Sequence, residues 1–579
     1  MKKIYLILVS LAAIGLSACS STEDSSTSVT GSGSISMQGT LNDTRVTETD
    51  AGSGFTVSSL TTPDVGHVTT SWVSNDKITV VYDPYNEGTT TSSTTWNSQD
   101  FVTNSSTNAG KGFFQSTSST LTVAQVKGYI DNSAIAMSDN SSKITVSQVG
   151  TGKKIKGTVD LSGQDGTLNN ASNYDLLYAS SSNNGVSQKP FVFNHAMCVL
   201  RFDLYNLHTS TSSATITYTP SDGKQLLASS VAYTYDGSTL TQTSVTNTSS
   251  ITVSNSISVN STYTASVYIV IPGTAAGSGT TYSGKFAITV KDNNGLTYKT
   301  SNVTVSNIAF NYGKVYAKSV YLLGVGMYYY ADGQWGWQTT NPRNSGSSNK
   351  AIGLVFSTSP GSAAQAGGFK NGVAIALSDA STGASPDYWS SSYSTPAGIS
   401  YYAFPTDTNI PGTWSVFQDM NSGYVGGITD RSTTFNWSNG YYAYYYAANY
   451  GVATPSTSSK WYLPSAGEWY SLFSAFKLFD ATTWHYYSSS LQYDYTNLYS
   501  MRNEANYNTF NAYFTTAGGT APSQGYAYMS ATEISKKYYY KPSFYNSRED
   551  NVNHGAAISF EPGDKITTKT QVVRAVLSF

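Results

Sequence analysis

From about residue 50 to about residue 320, apolar side chains recur at every second position. That period belongs to extended strands with one buried face. Ala196, Cys198, Leu200, Phe202 and Leu204 alternate with Arg201 and Asp203, so one face is core and the other is wet. Asp76-Lys77-Ile78-Thr79-Val80-Val81-Tyr82 reads as a strand stopped by Asp83-Pro84. Lys143 to Val146 and Ile155 to Leu161 read likewise. Phe286 to Val290 and Leu296 to Tyr298 flank Asn293-Asn294-Gly295, an Asn-Gly hairpin turn. Short strands with regular turn signals predict β-sandwiches. Leu207-His208 then gives way to Thr209-Ser210-Thr211-Ser212-Ser213, which marks a boundary near 207–212. One short helix is expected at Thr122 to Ile130, where Thr122 and Gln125 have capping-box spacing.

After about 325 the character changes. Aromatics crowd in: Tyr328-Tyr329-Tyr330, Trp335, Trp337, Trp389, Trp414, Trp437, Tyr441 to Tyr446, Trp461, Trp469 and Trp484. Pro464 precedes Ser465-Ala466-Gly467-Glu468, the S-x-x-E spacing of a capping box. Trp469, Leu472, Phe473 and Phe476 follow at i, i+3, i+4 and i+7, one helical apolar face. Ser530-Ala531-Thr532-Glu533 repeats the capping spacing, but the Tyr-rich run after it reads equally as strand. Val572 to Phe579 is strand-like.

Composition excludes several functions. Charged residues are 11% of the chain, against about 25% in an average soluble protein. The net charge of −2, without Lys/Arg blocks, excludes electrostatic capture of nucleic acid. Two cysteines make neither a disulfide framework nor a Cys-based zinc site. Five scattered histidines leave little room for a metal enzyme, and no cofactor is expected. The 579 residues suffice for three to four domains of roughly 150 residues each, and 13% aromatics supply their cores.

The N-terminal segment carries an address. Lys2 and Lys3 precede a short apolar run, Ile4 to Leu16, that fits a signal peptide. Leu16-Ser17-Ala18-Cys19 looks like a bacterial lipobox, in which Cys19 is lipidated and holds the protein on a membrane. Residues 20–34, rich in Ser, Thr and Gly, read as a flexible tether. Glu23-Asp24 resembles the surface-export signal of Bacteroidota lipoproteins. Cys198, inside a strand pattern, is expected to be a buried core thiol.

Two resemblances follow. Residues 35–320 resemble the fimbrillins of Bacteroidota, the subunits of type V pili. The matching features are the lipobox, Thr44-Arg45-Val46 after the tether, Trp72 to Tyr82, and Phe193-Asn194-His195-Ala196-Met197 leading into the Cys198 to Leu204 strand. Asn75-Asp76 stands where the family usually has Gly-Asp. Residues 324–579 are similar to a C-terminal module of Bacteroides surface lipoproteins with C-type-lectin-like or sulfatase-modifying-factor-like folds. That likeness rests on Gly326 to Trp335, Ile352 to Phe356, Gly372 to Ala380, Trp461 to Trp469, Tyr528 to Glu533 and Val573 to Phe579. The first resemblance implies two transthyretin-like sandwich lobes and proteolysis after an N-terminal arginine, here Arg45, so that the mature chain starts at Val46. Cleavage would remove a first strand containing Ile35, Met37 and Leu41 and open a groove for a neighbour's strand.

Catalytic chemistry is hard to assemble. Sulfatase-modifying enzymes use cysteine, and residues 324–579 have none. Glu561-Pro562-Gly563-Asp564 only partly echoes a lectin calcium motif and reads as a turn. A glycosidase needs two facing carboxyls, and Asp332, Asp379, Asp387, Glu468, Glu504 and Glu533 are the available ones. Of these, Glu468 serves as a helix cap, Asp332-Gly333 as a hairpin turn and Asp379 as a strand end. His485 and His554 read as exposed loop residues. Rigid rings among small polar groups make a paratope-like surface instead. The candidate ligand-binding aromatics are Trp389, Trp414, Trp437, Tyr441, Tyr442, Tyr444, Tyr445 and Trp484, while Trp461 and Trp469 are expected in the core. Strand alternation would put Tyr442, Tyr444 and Tyr446 on one face and Tyr441 and Tyr445 on the other.

The resulting reading is a mainly β chain: two transthyretin-like β-sandwich lobes followed by an α+β, C-type-lectin-like domain. Its parts are a lipoprotein signal peptide at 1–19, a tether and removable first strand at 20–49, sandwiches at 50–207 and 208–323, and a binding module at 324–579. The function expected is a non-enzymatic fimbrial subunit at the cell surface, most naturally a tip adhesin. Its expected partners are other pilus subunits through strand exchange, a glycan or surface-protein ligand, and the outer membrane through lipid on Cys19. The alternative is a monomeric glycan-binding surface lipoprotein.

Overall fold

The computed structural model describes residues 36–41, 59–60, 76–83, 95–103, 111–116, 134–139, 141–181, 190–208, 211–254, 259, 264–293, 295–344, 349–381, 388–393, 395, 399–402, 415–429, 440–479, 485–488, 496–522, 525–549, 554–566 and 571–579. The chain is mainly β, as its alternation requires, and among the described residues the strands lie in six sheets.

The first sheet closes on itself. Its strand order is Ser36–Leu41, Pro190–His195, Leu177–Ser181, Ala134–Ser138, Lys77–Tyr82, Asn97–Thr103 and Lys111–Ser116. The strand Lys77–Tyr82 is buried from Ile78 onward because both of its faces are covered. Ile78, Val80 and Tyr82 pack with Phe101, Phe191 and Phe193 in one cluster. Val81 packs on the other side with Ile135 and Met137, against Ile155, Val159, Val231 and Tyr233. Those last four belong to a four-stranded sheet ordered Leu240–Asn247, Ala228–Tyr235, Ile155–Asp160, Ile144–Gln148.

A three-stranded sheet (Thr264–Pro272, Met197–Tyr205, Val315–Tyr321) and a sheet built on Thr211–Pro220, Tyr282–Asp292 and Thr297–Ile308 form the next unit. Met197–Tyr205 shows the expected alternation of burial. Leu200, Phe202 and Leu204 meet Ile216, Phe286 and Ile288 in the core. Cys198 is a buried free thiol, and burial alone pushes its pKa up.

Sheet pairing crosses the boundary expected near 207–212. Met197–Tyr205, on its N-terminal side, pairs with Thr264–Pro272 and Val315–Tyr321 on the far side. Ala228–Tyr235, placed in the second sandwich, pairs instead with Ile155–Asp160 of the first. Ser59–Leu60 pairs with Thr304–Val305. The polar Thr/Ser run after His208 follows a turn at Asn206, whose φ is +68°. Such a run reports a turn, and sheet membership is set by pairing distant in sequence.

The C-terminal unit holds most of the helix. A five-stranded sheet ends on Val373–Ala376 and Val576–Ser578, and a six-stranded sheet is built on Tyr538–Glu549 and His554–Asp564. Helix Ala466–Ala475 joins their cores: Trp469, Leu472 and Phe473 pack with Leu354, Ile375 and Val576 of one sheet and Phe544, Ile558 and Phe560 of the other. Its capping box is complete, with Ser465 Oγ accepting from Glu468 N and Glu468 Oε2 accepting from Ser465 N. Trp461 and Trp469 are core, as expected.

Several local expectations are corrected. Tyr442–Ala448 is a helix, so the alternation expected of a strand does not apply there. Glu561 to Asp564 is strand, paired with Tyr538 to Lys541, and not a turn. His485 and His554 stand in strands instead of loops. The Tyr-rich run after Glu533 is the strand Tyr538–Glu549. Helix Glu504–Thr516, capped by Asn503, had no counterpart in the sequence reading, although Tyr507, Phe510 and Phe514 mark its buried face. The helix expected at Thr122 to Ile130 lies outside the described residues.

Candidate functional site

Three of the predicted aromatics come together, but around a buried ring. Trp389 is fully buried, with Nε1 donating to the Ser530 carbonyl at 2.9 Å. Tyr539 stacks near it at 5.7 Å, and Tyr444 and Tyr441 meet it edge-on at 5.5 and 6.3 Å. Tyr444 is buried too, its hydroxyl donating to the Ala531 carbonyl at 3.3 Å. Trp389 and Tyr444 are thus corrected from ligand-binding surface to core. The reason is helical: the turn from Tyr441 to Tyr445 puts Tyr444 inward with Ala443 and Ala447.

What reaches solvent is the rim of this cluster. Tyr441, Tyr442 and Tyr445 are half-buried. Tyr442 lies 6.4 Å from the ring of Tyr388, which is 38% exposed. Tyr393 and Tyr401, at 42% and 46%, extend the exposed aromatic surface. The Tyr401 and Thr395 hydroxyls hydrogen-bond at 2.8 Å, and Tyr393 donates to Asp564 Oδ2 at 3.3 Å. Tyr388, Tyr393 and Tyr401 were missed in the sequence; their loop setting among Ser, Thr, Pro and Gly was the available signal.

Under the rim sits a fully buried ion pair, Lys565 Nζ to Glu533 Oε2 at 2.7 Å. The Lys565 ammonium also lies 4.6 Å from the Trp389 ring centroid. Thr395 Oγ1 donates to Glu533 Oε2 at 2.7 Å, so the exposed loop is tied to the pair. Burial raises the Glu533 pKa and lowers that of Lys565, while their mutual attraction opposes both shifts.

The other candidate carboxylates have structural partners. Asp379 accepts from Arg574 Nε at 2.6 Å. Glu504 takes two bonds from Arg502. Asp332 accepts from Gln334 N at the turn, where Gly333 has φ +83°. Glu468 caps its helix and accepts from the Tyr462 hydroxyl at 2.7 Å; burial pushes its pKa up to about 7. Cys19, Arg45, Val46, Trp414, Trp437, Trp484 and Asp387 lie outside the described residues.

No protein-family profile matches the sequence, and no curated protein does. Among solved structures it is similar to a fimbrial protein of Bacteroides ovatus ATCC 8483, at 15% identity over 88% of this chain and 95% of that one, with a TM-score of 0.29. It is also similar to a proposed cell-adhesion protein of the same strain, at 15% identity over 51% of this chain and 96% of that one, TM-score 0.32. A third, a proposed polysaccharide-binding protein of Bacteroides thetaiotaomicron VPI-5482, shares 8% identity over 55% of this chain and 95% of that one, TM-score 0.24.

Proposed function

We propose that this chain is a non-enzymatic fimbrial subunit at the cell surface, exported as an outer-membrane lipoprotein through Cys19. It assembles by strand exchange and carries an adhesive C-terminal module. The observation that carries this reading is the place of Ser36–Leu41. That strand lies between Lys111–Ser116, antiparallel, and Pro190–His195, parallel, and it closes the first sheet. Cleavage after Arg45 would take this closing strand away and leave two unpaired edges, the condition for β-augmentation.

The tip position is part of the proposal. Val576–Ser578 is already paired with Val373–Ala376, and Phe579 stacks on Tyr329 at 4.1 Å. A strand committed to its own sheet is not available to a neighbour. The rim of Tyr388, Tyr393, Tyr401, Tyr442 and Tyr445 offers rings to a glycan or protein ligand.

The deciding experiment is the mature N-terminus by mass spectrometry, on material sheared from cells and on what stays with the membrane. A sheared species starting at Val46 is the expected result. A membrane species alone, starting at lipidated Cys19, would overturn assembly by strand exchange.

A further inference from the structure

A concave surface lies between the second sandwich and the C-terminal unit. Strand Thr297–Ile308 and Tyr321 form one wall. Trp335 and the segment from Thr358 to Asn371 form the other. The cleft, open to solvent, has a volume of ≈ 240 Å³. Junctions between domains are where small ligands are most often held.

The two walls are fixed relative to one another. Asn206 Nδ2 donates to the carbonyls of Leu322 and Trp335, and Trp337 Nε1 donates to the Asn206 carbonyl at 2.8 Å. Trp335 Nε1 donates to the Leu322 carbonyl at 3.0 Å, and its ring packs 5.7 Å from Phe579. The indole is therefore held in place and half-exposed at the cleft. The Lys370 wall is tied down by Asn371 N donating to the Phe579 carbonyl at 2.7 Å.

Charge is what distinguishes this cleft. Lys299 and Lys370 line opposite walls, both exposed, and neither has a carboxylate partner among the described residues. Lys299 points outward because its neighbour Tyr298 is the buried residue of the alternation. Arg343 adds a third cation at the flank: its guanidinium lies 4.1 Å from the centroid of Tyr321 and donates to the Trp335 carbonyl at 3.1 Å. In a chain with only 32 Lys and Arg, two lysines line this one cleft, and Arg343 stands beside its Tyr321. Such a cleft concentrates anions. Gln365, whose Nε2 donates to the Pro360 carbonyl at 2.7 Å, brings an amide to the same wall.

We infer that this cleft binds an acidic sugar unit of a glycan, with Lys299 and Lys370 holding its carboxylate and Trp335 carrying the apolar face of its ring. The volume sits just under the ~300 Å³ at which drug-sized ligand sites begin, which fits one sugar ring and not a folded partner. A bare inorganic anion would use the lysines and leave the indole and amides idle. The inference deepens the adhesive reading above by naming a ligand class, and its test does not depend on pilus assembly.

The test is calorimetric titration of the purified chain that keeps the closing strand Ser36–Leu41 with glucuronic acid, galacturonic acid and N-acetylneuraminic acid. Glucose, galactose, inorganic phosphate and a short poly-glutamate peptide serve as comparators. At least one acidic sugar is expected to bind tenfold or more tightly than glucose or galactose and than phosphate. The Lys299→Gln/Lys370→Gln double variant is expected to lose that binding tenfold or more, with an unchanged thermal midpoint, because both side chains are exposed. Rescue by Lys→Arg at both positions is expected, as is weaker binding at higher salt. Equal binding of neutral sugars, phosphate or peptide overturns the inference. So does an unaffected double variant, or no binding of any acidic sugar. Pili that still form and adhere in that case would leave the adhesive reading standing and remove the cleft alone.

Discussion

Glu468 shows how one side chain serves the fold at a cost that pH can reveal. Its carboxylate accepts from Ser465 N and from the Tyr462 hydroxyl, but it is entirely buried, and desolvation outweighs those bonds. Its pKa rises from the usual 4.5 to about 7. Between those values the folded chain keeps a proton that the unfolded chain has lost, so rising pH favours unfolding. The stabilisation is fully present below about pH 4.5 and is lost as pH climbs through about 7, on the order of 3 kcal/mol in all. Glutamine at this position can still complete a capping box and cannot titrate. Thermal melts of Glu468→Gln and the parent from pH 5 to pH 8 are expected to diverge, the variant gaining several degrees at the alkaline end. Parallel curves would show that this carboxyl is not the source. The capping role was legible from Ser465 and Glu468, three apart, whereas the burial was not, since no spacing reports which carboxylates lie under a second sheet. The same gap accounts for Trp389: a Trp/Tyr-rich sequence supplies core and surface from one alphabet, and only packing tells them apart.

At the scale of elements, the entry to helix Ala466–Ala475 is unusually close to its neighbour. A Cβ added at Gly467 would fall 2.3 Å from the Asp419 carbonyl oxygen, an atom of the backbone that cannot swing away. Ser465 Oγ donates to that same oxygen at 2.5 Å, and Thr532 Oγ1 bridges from Asp419 Oδ2 to the Ala466 N–H. A helical Gly→Ala exchange ordinarily stabilises by about 0.5–1 kcal/mol. Gly467→Ala is expected to reverse that sign and destabilise by about 1–3 kcal/mol, as overpacking does. Chemical denaturation followed by tryptophan fluorescence measures it, and a stabilised variant would refute the close approach. This helix was readable because cap, period and Pro464 agree. The helices Tyr442–Ala448 and Glu504–Thr516 were not, for different reasons. The first is a run of tyrosines and alanines with no polar face to set a period. The second has its apolar face diluted by Asn and Thr, and its cap, Asn503, is a residue equally at home in turns.

At the scale of the molecule, sequence order and sheet order part company, and that is where reading ahead fails. Individual strands such as Lys77–Tyr82 and Met197–Tyr205 follow from alternation alone, yet the sheets they join are fixed by partners that can lie more than a hundred residues away. The strand Ser36–Leu41 is the clearest instance. It has polar Ser36, Gln38 and Thr40 and a central glycine, and nothing local names its partners; its place comes from the gap between Lys111–Ser116 and Pro190–His195. That gap makes a prediction about the whole chain. A form starting at Val46 lacks the closing strand, so the main-chain donors and acceptors facing it on both flanking strands lose their partners. Such a form is expected to be less stable than the chain that keeps the strand, and to self-associate through the open edges. A synthetic peptide of residues 35–42 is expected to bind it, restore its thermal midpoint and suppress the association, while leaving the longer chain unchanged. A scrambled peptide of the same composition tests whether alternate side chains set the register. If the Val46 form is monomeric, as stable as the longer chain and indifferent to the peptide, then Ser36–Leu41 is ornament to the sheet, and assembly by strand exchange has no groove to work with.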